Sequence, residues 1–290
     1  DYAMAGSDRS APGIPDVSLS TMVIVPAGDL AAVEDVLNRD KDIAALILEP
    51  TGAHYGQLPF DIPNYLKGLR ELTERHEVVL ILDEVVTGFR ASPGGAQVRY
   101  GITPDLTTFA KIVAGGLPGG AVGGKAEIIN MIAQRGDPAW DNTHRVYHPG
   151  TFNANPLSAA AGAAALEMIA SQPINQQADA MAIRLKTGLN ELFGKMEVPG
   201  HAHGVASMIH VVMADCDCDR EICTMPHSKI SETVASAVTT GMKRGLQNMG
   251  VDIMGRDSFL VSATHGEQQI DRTLEAFQNT LSAMRAEGLV

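Results

Sequence analysis

A run of five consecutive apolar residues, 78–82 (VVLIL), ends directly in two carboxylates, Asp83 and Glu84. An apolar run of this length predicts a strand that is buried on both faces, as strands of parallel sheets are. Charged side chains at the carboxyl end of such a strand lie where open α/β sheets bind their ligands. This stretch therefore predicts a parallel α/β domain with a chemical site next to Asp83.

A lysine follows the next predicted strand. The stretch 106–109 (LTTF) leads through Ala110 to Lys111, and six glycines follow in a predicted loop that ends at Gly124. Lysine is seldom fully buried unless it is paired or used chemically, and a buried amine that loses its hydration becomes a better nucleophile. Pyridoxal phosphate needs both an amine and an acid, because its aldehyde combines with lysine and its ring nitrogen must stay protonated. A structural ion pair between Asp83 and Lys111 is the alternative.

Three motifs, in this order, carry a resemblance to a known family. They are DEVVTGFR at 83–90, GITPDLTTFAKIVAGGLPGGAVGG at 101–124 and GTFNANPLSAAAG at 150–162. Together they resemble the class III aminotransferases of fold type I, and in particular the glutamate-1-semialdehyde aminomutase-like branch. The likeness extends from SAPGIPD near the start to THGEQQIDRTLEAF near the end. The resemblance implies a large domain with a mostly parallel sheet and helices on both faces, followed by a small α+β domain.

The resemblance also implies a site for pyridoxal 5'-phosphate. Asp83 would contact the pyridine nitrogen, Val85 would pack on the ring face, and Lys111 would carry the cofactor as an aldimine and act as general acid and base. Gly150 and Thr151 would reach the cofactor phosphate of the neighbouring subunit, so a homodimer with a shared active site is expected. The enzyme would move an amino group between an amino acid or amine and an oxo acid or aldehyde.

Two other functions stay open at this point. In the aminomutase variant, the amino group returns to a neighbouring carbon of the same molecule, and the motifs do not separate this outcome from aminotransfer. Members of the family carry a further segment before the point at which this sequence starts, so we expect the large domain to be N-terminally incomplete. An inactive, truncated partner subunit is therefore the second alternative.

Two residues are candidates for substrate contacts. His54 falls in a loop where relatives often carry a polar or acidic side chain, although an exposed loop histidine is the alternative interpretation. Arg256 precedes the last predicted strand of the small domain and would bind a substrate carboxylate, since a guanidinium forks onto a carboxylate. Leu260 stands near the position at which relatives often carry an arginine.

Two further patterns point to other kinds of site, and the sequence speaks against both. The stretch GGAVGGK, ending at Lys125, matches part of a nucleotide-binding loop, but Ala126 stands where a Ser or Thr would hold magnesium. Cys216, Cys218 and Cys223 are spaced unlike the ligands of known zinc sites, so no metal is expected.

Composition sets the remaining expectations. A net charge of −12 argues against nucleic acid or an anionic membrane surface as the main partner. An odd number of crowded cysteines does not form a disulfide framework, so a cytoplasmic enzyme with small-molecule substrates is expected. The change of periodicity near residue 170 predicts a large domain over 1–170 and a small domain over 171–290.

Overall fold

The computed structural model describes residue 17 and the ranges 20–52, 61–214, 237–255 and 257–290. The chain forms two compact units. The first contains 1–50, 66–89 and 94–170, and the second contains 51–65, 90–93 and 171–290. The predicted division into a large domain over 1–170 and a small domain over 171–290 stays a prediction.

The first part of the chain alternates helices and strands, as the sequence predicts for a parallel α/β domain. In chain order they are α1 (Leu30–Arg39), β1 (Ala45–Leu48), α2 (Ile62–Arg75), β2 (Val79–Asp83), α3 (Gly95–Tyr100), β3 (Leu106–Ala110), β4 (Gly120–Gly124), α4 (Ala126–Ile129), α5 (Pro138–Thr143) and α6 (Pro156–Ser171). A 3-10 turn, Lys111–Ala114, follows β3 directly.

The strands of the first unit form one sheet in the order β1-β2-β3-β4. The first three strands are parallel, with Leu82 opposite Thr107 and Asp83 opposite Thr108. This arrangement confirms the mostly parallel sheet. Leu80 and Leu82 of β2 are fully buried, whereas Val79 and Ile81 on the opposite face are only partly buried, so the predicted burial on both faces is complete for one face only.

The glycine-rich stretch was predicted to be a loop throughout, and the prediction is wrong for 120–124. These residues form β4, which pairs antiparallel with β3, with Gly120 opposite Ala110 and Gly124 opposite Leu106. Glycine has a low strand propensity, but a ladder needs only backbone N–H and C=O groups. The exposed edge of β3 supplies those groups, so tertiary pairing determines the conformation here.

The second unit contains α7 (Ile174–Met196), β5 (His201–His203), β6 (Met208–Val212), α8 (Ala237–Asn248), β7 (Ser258–Leu260) and α9 (Glu267–Ala286). Its strands form an antiparallel sheet in the order β5-β6-β7. Its core contains Leu189 and Phe193 of α7, Leu246 of α8 and Phe277 of α9, together with Ile209 of β6. This is the α+β arrangement that the sequence predicts. Within the ranges given above, no helix combines the length and the apolar composition that crossing a membrane requires.

Candidate active site

Asp83 and Lys111 lie at the same end of the first sheet, where the parallel strands β2 and β3 finish. Asp83 is the last residue of β2, and Lys111 comes directly after the last residue of the parallel neighbour β3. The backbone N–H of Glu84 donates to the carbonyl of Thr108 over 3.0 Å, which fixes the two strand ends against each other. Lys111 is three residues beyond Thr108, a chain distance of at most about 11 Å. A carboxylate and an amine therefore end neighbouring strands, as predicted.

The Asp83 carboxylate is half-buried and is held through one of its two oxygens. Oδ1 accepts a hydrogen bond from the backbone N–H of Val85 over 3.0 Å and a long one from Thr108 Oγ1 over 3.5 Å. Among the residues that the structure describes, none donates a hydrogen bond to Oδ2. The hydrogen bonds to Oδ1 thus fix the orientation of the carboxylate, and Oδ2 is available to a cationic partner.

Lys111 is exposed, which differs from the burial that the sequence led us to expect. It stands one residue beyond β3, where the described residues leave its side chain exposed. Asp83 and Lys111, both of them described residues, form no ion pair with each other, so the alternative of a structural ion pair is wrong.

The backbone at Lys111 is in a conformation that side chains rarely adopt. Its φ is 53°, in the left-handed region, between the extended Ala110 and the 3-10 turn. A non-glycine residue held there costs on the order of 1 kcal/mol and persists only where the surrounding structure imposes it. Such residues concentrate at functional sites, which agrees with a chemical role for this lysine.

Helix α6 supports the turn that begins at Lys111. A Cβ atom on Gly162 would lie 2.3 Å from the carbonyl oxygen of Val113, and one on Gly115 would lie 2.3 Å from that of Ala161. Backbone therefore packs directly on backbone, which only glycine permits at these positions. Ser158 Oγ also donates to the carbonyl of Pro118 over 2.8 Å, so α6 holds the segment after Lys111 at several points.

Gly150 and Thr151 lie just before α6. The carbonyl of Gly150 accepts a hydrogen bond from the backbone N–H of Asn153 over 3.0 Å. Asn155 Oδ1 then caps the helix by accepting from the N–H of Leu157 over 3.0 Å. Thr151 is exposed, and in the described part of the chain it forms no hydrogen bond with Asp83 or Lys111. Within the described part of one chain, no hydrogen bond thus joins Thr151 to either residue.

Glu84 is a residue of this site that sequence reasoning passed over. Its carboxylate is fully buried, whereas that of Asp83 is half-buried. Its oxygens accept hydrogen bonds from Thr87 Oγ1, from the backbone N–H groups of Ala96 and Gln97, and from Gln97 Nε2. The signal in the sequence was a second acid directly after the first.

Several predicted residues lie outside the described ranges, namely His54, Arg256, Cys216, Cys218 and Cys223. Leu260 is the last residue of β7. Val85 is half-buried next to Asp83, and its contact with a cofactor ring stays a prediction. Among the residues described, no group of three or more His, Cys, Asp or Glu side chains is arranged to hold a metal ion.

Comparison with known proteins gives consistent results. The sequence model of the family "Aminotransferase class-III" matches residues 5–281. The chain is 35% identical over 268 residues to glutamate-1-semialdehyde 2,1-aminomutase 2 of Brevibacillus brevis, covering 91% of this chain and 59% of the relative. It is 37% identical over 273 residues to the glutamate-1-semialdehyde 2,1-aminomutase of Syntrophobacter fumaroxidans, covering 92% and 59%. The chain thus spans about three fifths of the length of these relatives.

Solved structures agree with these sequence comparisons. An omega-transaminase from Sphaerobacter thermophilus superimposes with a TM-score of 0.82 at 30% identity, covering 95% of this chain and 60% of that one. A structure described as a transaminase with PLP bound superimposes with a TM-score of 0.81 at 25% identity, covering 98% and 64%. These likenesses confirm the fold type I architecture.

Proposed function

This chain belongs to the class III aminotransferase family, and on that basis we propose that it carries out pyridoxal-phosphate-dependent amino transfer. An amino group would pass between an amino acid or amine and an oxo acid or aldehyde. The observation that carries the proposal is the shared sheet edge, at which the Asp83 carboxylate and the Lys111 amine end two neighbouring parallel strands. An odd number of crowded cysteines is not the sequence pattern of a disulfide framework, so we also propose a cytoplasmic location.

The chemistry of the donor set fits pyridoxal phosphate, which presents a ring nitrogen, an aldehyde and a phosphate. Asp83 offers a free carboxylate oxygen to a protonated nitrogen, Lys111 offers an amine to the aldehyde, and Thr151 offers a hydroxyl to the phosphate. When bound, the cofactor supplies an electron sink for the charge that develops on the substrate carbon.

Each residue then has a distinct task. Asp83 would keep the ring nitrogen in its charged form through Oδ2. Val85 holds Oδ1 by its backbone N–H and would support the ring face. Lys111 would bind the cofactor through its amine. Once released by the incoming substrate, the same amine would take a proton from the substrate carbon and return it as general base and acid.

A second copy of this chain is the partner that we propose. Exposed apolar side chains concentrate in the segment 146–168, where Phe152 is 80% and Leu157 is 69% exposed. Helix α6 is rich in apolar residues and has only Gly162 buried. An exposed apolar surface of this kind is typical of an interface. Because Gly150 and Thr151 lie within this segment, a homodimer would bring them to the cofactor phosphate of the partner.

Aminomutase activity is the second candidate, and the names of the relatives favour it. The relatives described above, 35% and 37% identical to this chain, are named glutamate-1-semialdehyde 2,1-aminomutases. The same lysine would then move the protons that accompany the return of the amino group to the neighbouring carbon. Substrate contacts from His54 and Arg256 remain proposals from the sequence.

The test is to reconstitute the full-length protein with pyridoxal phosphate, reduce it with borohydride and map the modified peptide by mass spectrometry. We expect a yellow protein that loses its colour on reduction and then carries the pyridoxyl group on Lys111. Lys111→Ala should lose both colour and turnover, while Lys67→Ala, which replaces an exposed lysine of α2, should keep them. A colourless wild type would overturn the proposal in favour of an inactive partner subunit.

A further assay separates the two reactions. Given glutamate-1-semialdehyde as the only substrate, an aminomutase forms product without any added oxo acid. An aminotransferase turns over continuously only when both an amino donor and an oxo or aldehyde acceptor are present.

A further inference from the structure

We propose that Glu84 is a positioning residue for Asp83, whose carboxylate it orients by fixing the turn that follows β2. The inference rests on the proposed function, because it is Asp83 that would face the cofactor nitrogen. Glu84 itself is fully buried and touches neither substrate nor cofactor in this proposal.

Glu84 uses the full capacity of its carboxylate. Oε1 accepts from the backbone N–H and from Nε2 of Gln97, over 3.0 and 3.1 Å. Oε2 accepts from Thr87 Oγ1 over 3.1 Å and from the N–H of Ala96 over 2.6 Å. An ionised carboxylate has about four acceptor sites, so none is left over. The side chain thereby ties the turn 84–88 to the first residues of α3.

The same turn controls the orientation of Asp83. The backbone of Glu84 donates to the Thr108 carbonyl over 3.0 Å and accepts from the N–H of Gly88 over 2.9 Å, so both ends of the turn are fixed. Val85, inside this turn, donates its N–H to Asp83 Oδ1. Any rotation of the turn would break the Val85 hydrogen bond and leave the Asp83 carboxylate held only by the long hydrogen bond from Thr108 Oγ1, among the described residues.

The surroundings of Glu84 are shaped for a carboxylate. Gly95 has a φ of 74°, and a Cβ atom there would lie 2.3 Å from Glu84 Oε2. A glutamine at position 84 would put an amide NH₂ against backbone N–H donors, leaving at least one buried donor unpaired. Glu84→Gln therefore keeps the size of the side chain and disturbs the turn specifically.

The first arm of the experiment uses hydrogen exchange on the cofactor-free full-length protein. Glu84→Gln should accelerate amide exchange at Val85, Gly88 and Gln97 at least tenfold. Asp105→Asn is the matched control, because Asp105 is also a buried carboxylate that accepts a backbone N–H, at the opposite end of β3. It should lower the melting temperature without accelerating exchange in 85–88.

The second arm measures the apparent dissociation constant of pyridoxal phosphate and the position of its visible band. Glu84→Gln should raise the constant at least tenfold and shift the band, whereas Asp105→Asn should leave both within about twofold. In an Asp83→Ala background, Glu84→Gln should have no further effect, since it acts through Asp83. Thr87→Val, which removes one donor, should act in the same direction more weakly if Glu84→Gln does not fold.

The outcomes separate the two proposals. A wild type that does not bind pyridoxal phosphate overturns the proposed function, and the exchange arm then decides alone whether Glu84 fixes the turn. Effects of Glu84→Gln that add to those of Asp83→Ala, or that follow the melting temperature as in Asp105→Asn, would show that Glu84 is only structural. Unchanged exchange at Val85 would also overturn the inference.

Discussion

Asp105 Oδ2 lies 2.7 Å from the backbone nitrogen of Leu80, so a side chain at the start of β3 satisfies an amide of β2. Arg70 of α2 donates to the same oxygen over 3.0 Å, and Lys125 Nζ lies 2.7 Å from Oδ1. One buried carboxylate therefore joins a helix and three strands. It lies at the end of the sheet where β3 starts, opposite to the end where Asp83 lies. It also explains Lys125, which resembled a nucleotide-binding lysine in the sequence.

This network should make the stability of the first unit depend on acidic pH. Burial by itself would raise the pKa of Asp105, but hydrogen bonds from Lys125, the Leu80 amide and Arg70 outweigh burial and hold that pKa below its ordinary value. A lowered pKa stabilises the fold above the unfolded-state pKa, and this stability is lost as pH falls through the folded-state pKa. The loss should therefore occur below about pH 4.

The variant that tests the network is Asp105→Asn, which loses the charge and an acceptor. We expect it to lower the free energy of unfolding by about 2 kcal/mol at pH 7 and to flatten the decline below pH 4. Denaturant titrations between pH 3 and 7 measure both effects. Glu34→Gln, which breaks an exposed pair with Arg75, should change the free energy by well under about 1 kcal/mol. Equal effects of the two variants would contradict this account.

Asp257 should produce the opposite pH dependence in the second unit. It is buried next to β7, where burial raises its pKa to about 7 despite a hydrogen bond with Thr239 and the charge of Lys243. A raised pKa means that its contribution is complete below the unfolded-state pKa and is lost as pH rises through about 7. Asp257→Asn should thus be more stable than the wild type at pH 9, by on the order of 2 kcal/mol.

Thermal unfolding at pH 5, 7 and 9 measures this difference. The control is Asp252→Asn, because Asp252 is exposed and, among the described residues, accepts from Gln247 Nε2 alone. Wild-type and Asp257→Asn profiles that run parallel across this range would show that Asp257 does not titrate as described.

The close approach of α6 to the turn after β3 predicts an unusual effect of alanine. In an open helical position, Gly→Ala stabilises by up to about 1 kcal/mol, and Gly194→Ala should do so because no atom of the described residues would lie within 4 Å of the added Cβ. Gly162→Ala should instead destabilise by about 1 to 3 kcal/mol, because its Cβ would meet the Val113 carbonyl. It should also displace Lys111 and weaken retention of pyridoxal phosphate, which dialysis followed by absorbance measures. Stabilisation by both variants would refute the contact.

The sequence predicted best those features that follow from local pattern. The apolar run before Asp83 became β2, with Asp83 as its last residue. The prediction failed where contacts with residues distant in the chain determine the local structure. Asp83 and Glu84 look alike in sequence, but only the folded turn shows that one carboxylate is half-buried and the other enclosed by α3. Likewise, β4 exists because β3 offers it an edge.

The apolar surface around α6 predicts that a charge there will weaken self-association. Leu157→Asp should raise the dissociation constant of the dimer at least tenfold, because an aspartate desolvated in the interface is costly. Analytical ultracentrifugation across a concentration series measures this constant. Val98→Asp is the control, because Val98 is 65% exposed but lies on α3, outside the segment 146–168. If both variants raise the dissociation constant equally, the interface lies elsewhere.

A shared active site predicts complementation between two inactive variants. Lys111→Ala lacks the amine, and Thr151→Ala lacks the hydroxyl that would reach the partner's cofactor. In a mixed dimer, the chain that keeps Lys111 receives Thr151 from its partner, so one site is complete. Random exchange of equal amounts should restore about a quarter of the wild-type activity, since half of the dimers are mixed and each has one complete site. The assay is turnover before and after the two variants are unfolded and refolded together, with each variant treated alone as the control. If activity after mixing stays at the average of the two variants, Thr151 serves the site of its own chain.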